Sequence, residues 1–203
     1  MPKLVVLAGA LVAGLLVPGL AQTHFQSGLY SHTGSGCASR VDPVTVVFYH
    51  KATAAISANH VRAHTGWGGG SGGGQYFASH GNCGATTRHA ESGTGTRYHI
   101  RMRKTYHEDG TWGTTTTGTP HHEDLVWYCG HAVDKGGVDK GEGLWSGFDQ
   151  GRSRIYNALY GKPGHTFGRN QYWGNTQEFK QCDGDYAGSH GQVYWFRMPG
   201  TLH

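Results

Sequence analysis

Charge is scarce in this chain. Only 15% of its 203 residues are Asp, Glu, Lys or Arg, and the formal charge is +4, or +3 without the N-terminal Lys3. So weak and dispersed a positive balance excludes a nucleic-acid footprint. No two of the four cysteines stand in C-x-x-C spacing, which removes zinc knuckles and dithiol redox motifs. The glycine run after Trp67, Gly68-Gly69-Gly70-Ser71-Gly72-Gly73-Gly74, lacks the Gly-Lys-Ser/Thr of a phosphate-cradling loop and reads as a flexible connection. Nothing else points to a nucleotide cofactor. H-E-x-x-H is missing too, because His122-Glu123-Asp124-Leu125 is followed by Val126 where a second histidine is needed. With no G-x-S-x-G elbow, a serine hydrolase of that design is disfavoured. The longest apolar run, Leu4 to Leu16, falls short of the ~20 residues of a membrane-spanning helix.

What is present starts with that run. Lys3, the apolar stretch and small residues ending at Ala21 form a secretory signal peptide over residues 1–21, so the protein is expected outside the cytoplasm. Cys37, Cys83, Cys129 and Cys182 all follow the cut, and an oxidising compartment makes them two disulfides with three pairings open. Each would contribute about 2–4 kcal/mol. A polar arm, 22–41, and one secreted domain, 42–203, account for the rest, and a monomer is expected. Glycine is abundant, at 35 residues, but without a Gly-X-Y period and alongside 12% aromatics. The domain is therefore loop-rich and globular, not collagen-like or disordered.

The local patterns predict an α+β fold with a mixed or antiparallel sheet and two main helices, stapled by disulfides. Asp42-Pro43 reads as a turn before a buried strand, Val44 to Tyr49. Thr53 can cap a helix that passes through Ala54, Ile56, Val61 and His64 and stops at Gly66. Tyr98, Ile100 and Met102 alternate with His99, Arg101 and Arg103, giving one core face and one solvated or anion-binding face. Glu108-Asp109-Gly110 is hairpin chemistry, with Trp112 to Thr117 as the returning strand. Leu125-Val126-Trp127-Tyr128 is apolar enough to be buried. A second helix is expected from Asp149 to Tyr160, ended by Gly161, and a last strand, Val193 to Arg197, closing the sheet.

Fifteen histidines carry the functional signal. Three readings stand. In the first, His121, His122, Glu123, Asp124 and His131 offer ligands for zinc, although adjacent histidines on a strand face opposite ways and at most one of His121 and His122 serves a given site. In the second, His99, His121 and His131 do acid–base work without metal. Asp124 or Asp134 orients an imidazole, and Arg101 and Arg103 hold an anionic substrate. In the third the histidines only satisfy turns, and the exposed aromatics make a binding face.

The ordered motifs R-Y-H-I-R-M-R, T-T-T-T-G-T-P-H-H-E-D, G-H-A-V-D and F-D-Q-G-R-x-R-I-Y resemble the C-terminal domain of LssY-type proteins over residues 42–159. That resemblance implies a similar fold and an envelope setting, with a cell-envelope polymer or lipid-linked molecule as partner. It brings no catalytic residues. The tail from Gly164 and the four cysteines depart from the pattern. The functional expectation is a secreted, hydrolase-like protein acting on an anionic or phosphate-bearing substrate through a histidine-rich site. Its alternative is a non-catalytic extracellular binding or accessory domain.

Overall fold

The computed structural model describes residues 30–33, 36–37, 39–50, 52–69, 75–79, 82–93, 97–106, 114–127, 131–134, 147–162, 166–172, 176, 179–182, 184 and 186–198. The leader expected over 1–21, the hairpin turn at Glu108-Asp109-Gly110 and Cys129 lie outside these residues. The architecture is α+β: two helices, a large mixed sheet and a small antiparallel one.

The small sheet comes from two hairpins. Strands β1 (Tyr30–Thr33) and β2 (Ser39–Pro43) form one; β5 (Tyr76–Ser79) and β6 (Asn82–Ala85) form the other. β1 and β5 pair antiparallel to join them. Residues 30–33 and 39–41, expected in a polar arm, are therefore strand, and Asp42-Pro43 ends that second strand instead of making a turn. The Cys37–Cys83 disulfide fastens the first hairpin to β6. Cys182 is disulfide-bonded as well.

The large sheet runs in the order β11 (Thr166–Tyr172), β14 (Gln192–Arg197), β3 (Val46–Tyr49), β9 (Thr114–Val126), β8 (Arg97–Tyr106), β7 (Arg88–Glu91) and β4 (Gly68–Gly69). β10 (His131–Asp134) pairs with the far end of β9. A two-stranded piece, β12 (Phe179–Lys180) and β13 (Tyr186–Ala187), stands apart. The strand expected to close the sheet, β14, lies inside it, parallel to β3 and antiparallel to β11. Its apolar alternation fits a strand covered on both faces, with Val193 and Trp195 buried on one side and Phe196 in the opposite core. Trp127, expected to be buried, is 92% exposed, because β9 ends at Val126 and leaves it beyond the sheet.

The helices cover one face of this sheet. α1 (Ala54–Thr65) begins where the Thr53 Oγ1 accepts from Ile56 N at 3.1 Å, and it ends at Gly66, whose φ of 75° is left-handed. α2 spans Gly147–Leu159. Between helices and sheet lie Val46, Phe48, Val61, Ile100, Met102, Ile155, Leu159 and Phe196, all buried. The small sheet covers the opposite face, over Val44, Val47, Phe77, Val193 and Trp195.

β9 has a gap in its pairing. It meets β3 over Thr116–Gly118 and β10 over Glu123–Val126, which among the described residues leaves positions 119–122 without a strand on that side. The Gly118 carbonyl faces β3, accepting from Thr45 N at 3.2 Å, so position 120 faces the same side. Pro120 occupies it, and its missing N–H removes no ladder bond there. α2 fills the gap. A Cβ at Gly151 would stand 2.6 Å from His121 N and 2.7 Å from the Pro120 carbonyl carbon, so only glycine lets the helix come this close.

Candidate functional site

The polar centre lies on the face covered by the small sheet, and strand register builds it. β8 pairs with β9 so that His99 faces His121, Arg97 faces Glu123 and Arg101 faces Thr119. β7 adds Glu91 beside His99 and His89 beside Arg101. Glu91, His99 and His121 thus stand side by side across three strands. Side chains alternate between faces along a strand, so His99 and Arg101 share this face while Ile100 and Met102 take the other.

The small sheet lowers Asp42 onto this row. Asp42 Oδ2 lies 3.2 Å from His121 Nε2 and 3.6 Å from an Arg101 guanidinium nitrogen. Its carboxylate accepts from the Gln75 amide, and its backbone N–H donates to Ser31 Oγ at 3.1 Å. Asp42 therefore ties the two sheets together at the site. Phe148, at the start of α2, closes the flank with its ring 4.7 Å from that of His121.

Within the centre the imidazoles meet edge to face. The His89 and His99 rings are 5.1 Å apart, and those of His99 and His121 are 4.5 Å apart. Arg97 joins the carboxylates. Its Nε donates to Glu123 Oε1 at 2.8 Å and its NH1 to Glu91 Oε2 at 3.0 Å. His99 Nδ1 stands 3.0 Å from Glu123 Oε1, yet neither of its ring nitrogens completes a hydrogen bond of good geometry. The same holds for both nitrogens of His89, whose Nε2 is 3.9 Å from Glu91 Oε2. His99 has no exposed surface, and His121 and Glu123 keep 2% and 4%. Buried polar atoms without partners are costly, which sets the two His89 ring nitrogens apart from an ordinary core side chain.

Burial and charge set the protonation states. Removal from water, with Arg101, Arg97 and His121 nearby, lowers the His89 pKa to about 4, against the opposing pull of Glu123. Burial first, then His121, pushes His99 well below its ordinary value. Both are neutral at pH 7 and have lone pairs to offer. Burial opposes the charge on Glu123, but His99, His121 and Arg97 together hold its carboxyl below the usual carboxylate range. Among the described residues, two groups could hold a metal: His99, His121 and Glu123, and alongside them His89, Glu91 and His99. The donor atoms within each group lie within 4.8 Å of one another.

Of the residues singled out from sequence, the structure brings His99, His121 and Arg101 together. Arg103 lies on the same face but serves the contact between sheets. Its guanidinium occupies the space a Cβ at Gly84 would need, and it donates to the Ala85 carbonyl at 3.4 Å. His122 faces the helices, stacked on Tyr98 at 4.1 Å with Nδ1 2.5 Å from Gln150 Oε1. Asp124 shares the strand parity of His122, so it sits on the helix face. His131 is paired with Val126, five positions beyond His121 and about 17 Å further along the strand. His89, Glu91, Arg97 and Asp42 were not singled out, whereas Glu123, a candidate ligand from the sequence, does lie in the centre, two residues from His121 and on the same face.

A second polar group lies at the start of α2. Asp149, fully buried, sits 2.9 Å from Arg152 NH1 and 2.9 Å from His190 Nδ1, and it accepts from His190 N at 3.1 Å. It anchors the loop before β14 to the helix.

The chain matches no family model, no curated protein and no solved structure.

Proposed function

We propose that the chain is a secreted, disulfide-stapled binding domain of the cell envelope or extracellular space whose centre holds one zinc ion on His99, His121 and Glu123. The observation that carries this reading is His99: fully buried, with a pKa pushed well below its ordinary value, and grouped with the His121 imidazole and the Glu123 carboxylate so that their ligand atoms lie within 4.8 Å of one another. Imidazole and carboxylate are donors that suit zinc.

Burial favours the binding reading over a hydrolase-like one. A catalytic zinc keeps a position open to substrate and water, whereas a structural zinc is closed by protein. Here the ligands sit between two sheets, and the small sheet brings Asp42 Oδ2 to within 3.2 Å of His121 Nε2. Arg101 and Arg103, expected to hold an anionic substrate, are engaged at the sheet–sheet contact. The zinc set differs from the one the sequence suggested, retaining His121 and Glu123 and taking His99 in place of His122, Asp124 and His131.

Metal content tests this directly. Protein exported by its own leader and purified without a histidine tag should carry one zinc per chain by mass spectrometry. His99→Gln should lose it, while His122→Ala and His131→Ala should retain it. Absence of zinc after equilibration with the metal, or a zinc lost in His122→Ala but kept in His99→Gln, would overturn the assignment.

A further inference from the structure

The two ligand groups overlap at one residue and differ in their access to water. His99 belongs to both. The inner group, His99, His121 and Glu123, has side chains with 0%, 2% and 6% of their surface exposed. The outer group replaces two of these with His89 and Glu91, and the Glu91 side chain is 21% exposed. The register sets Glu91 on β7 and His121 on β9, on opposite sides of His99. A path from solvent to the inner group through Glu91 therefore passes His99.

We propose that His89, Glu91 and His99 form an entry station for a divalent transition-metal ion, which then passes to the inner group with His99 as the shared ligand. This rests on the inner metal site proposed above. Occupancy is one ion per chain, because His99 serves either group in turn. Arg97 controls the exchange. Its guanidinium holds one carboxylate of each group, Glu91 Oε2 at 3.0 Å and Glu123 Oε1 at 2.8 Å, and its side chain is 24% exposed. It supplies positive charge where the ion will sit, and it can withdraw to water as the ion arrives. One cation replaces another, so the carboxylates are never left buried without a counter-charge. His89 suits the station for the same reason as His99: both of its buried ring nitrogens lack a hydrogen-bond partner among the described residues.

The test follows cobalt(II) uptake by metal-free full-length protein, using the visible absorption of the bound ion in a stopped-flow instrument, with final stoichiometry by mass spectrometry. Glu91→Gln and, separately, His89→Gln should slow uptake about tenfold and still reach one cobalt per chain. Full loading itself shows that the inner site has folded. Arg97→Gln should load faster than the unsubstituted protein. Uptake at the unsubstituted rate in both Glu91→Gln and His89→Gln would overturn the entry station, as would two cobalt ions per chain. If the unsubstituted protein takes up no cobalt, the inner site falls and the station with it, a result distinct from an unchanged rate at full loading.

Discussion

Ile100 and Met102 point from β8 into Phe48, Phe196 and the two helices, while His99 and Arg101, the residues interleaved with them, point towards His121 and Asp42 beneath the small sheet. The two faces of one strand pair are thus buried in opposite ways. On the helix face, stability comes from apolar area and close packing, which are not directional and tolerate changes that conserve volume. On the other face each group depends on a particular partner at a particular distance, and losing one strands the rest. The difference teaches that burial alone does not mark a core as inert. The strand alternates between a face that tolerates repacking and one that does not.

The sharpest way to break this comparison is to remove one charge from the polar face. Glu123→Ala leaves Arg97 and the imidazoles without their shared carboxylate. In the metal-free protein it should cost about 3–5 kcal/mol, measured by urea unfolding. A loss no larger than an exposed charge produces would show that the face is more hydrated than its burial indicates.

Acid should act on the polar face next. The folded pKa of His89 lies near 4, below the 6.5 of an unfolded histidine, so between these values the unfolded chain binds more protons. Stability of the metal-free protein should therefore fall as pH is lowered from 6.5 towards 4. Glu123, whose folded pKa is depressed, adds a further loss below its unfolded value of 4.5. Urea midpoints across this range, repeated in His89→Gln, check the assignment, because the variant should show a shallower decline. An equal slope in both proteins would place the acid sensitivity elsewhere.

The smallest effect belongs to the apolar face. Ile100→Val removes one buried methylene and should cost about 0.5–1.5 kcal/mol, with zinc content and the pH slope unchanged. If the variant loses metal, the two faces are coupled through the backbone of β8.

Much of this organisation was legible in the sequence. The Thr53 cap, the Gly66 stop and the alternation from Tyr98 to Arg103 are local signals, and α1 and β8 follow them. The role of the His99 face was harder to read. Periodicity separates two faces but says nothing about what covers them, and the cover here comes from β1, β2, β5 and β6, earlier in the chain. A hairpin centred on Gly110 already pairs His99 with His121 and Arg97 with Glu123, so half the centre follows from carrying that register outward. Asp42 does not follow from it, because only the packing of the small sheet brings it in. His122, Asp124 and His131 drew attention by proximity in sequence, which a strand of period two does not preserve in space.

The Cys37–Cys83 bridge has a consequence for time. It fastens two hairpins that are separated in the chain by β3, α1 and β4, so the small sheet leaves the large one as a whole or not at all. Separation on that scale is a sub-global opening, rare and slow, whereas partly exposed side chains such as Glu91 and Arg97 change rotamer within nanoseconds. With the bridge closed, exchange between the interior and the surroundings keeps the pace of two side chains at one flank. With it reduced, the hairpins can part separately, and the same interior answers to a second, slower clock.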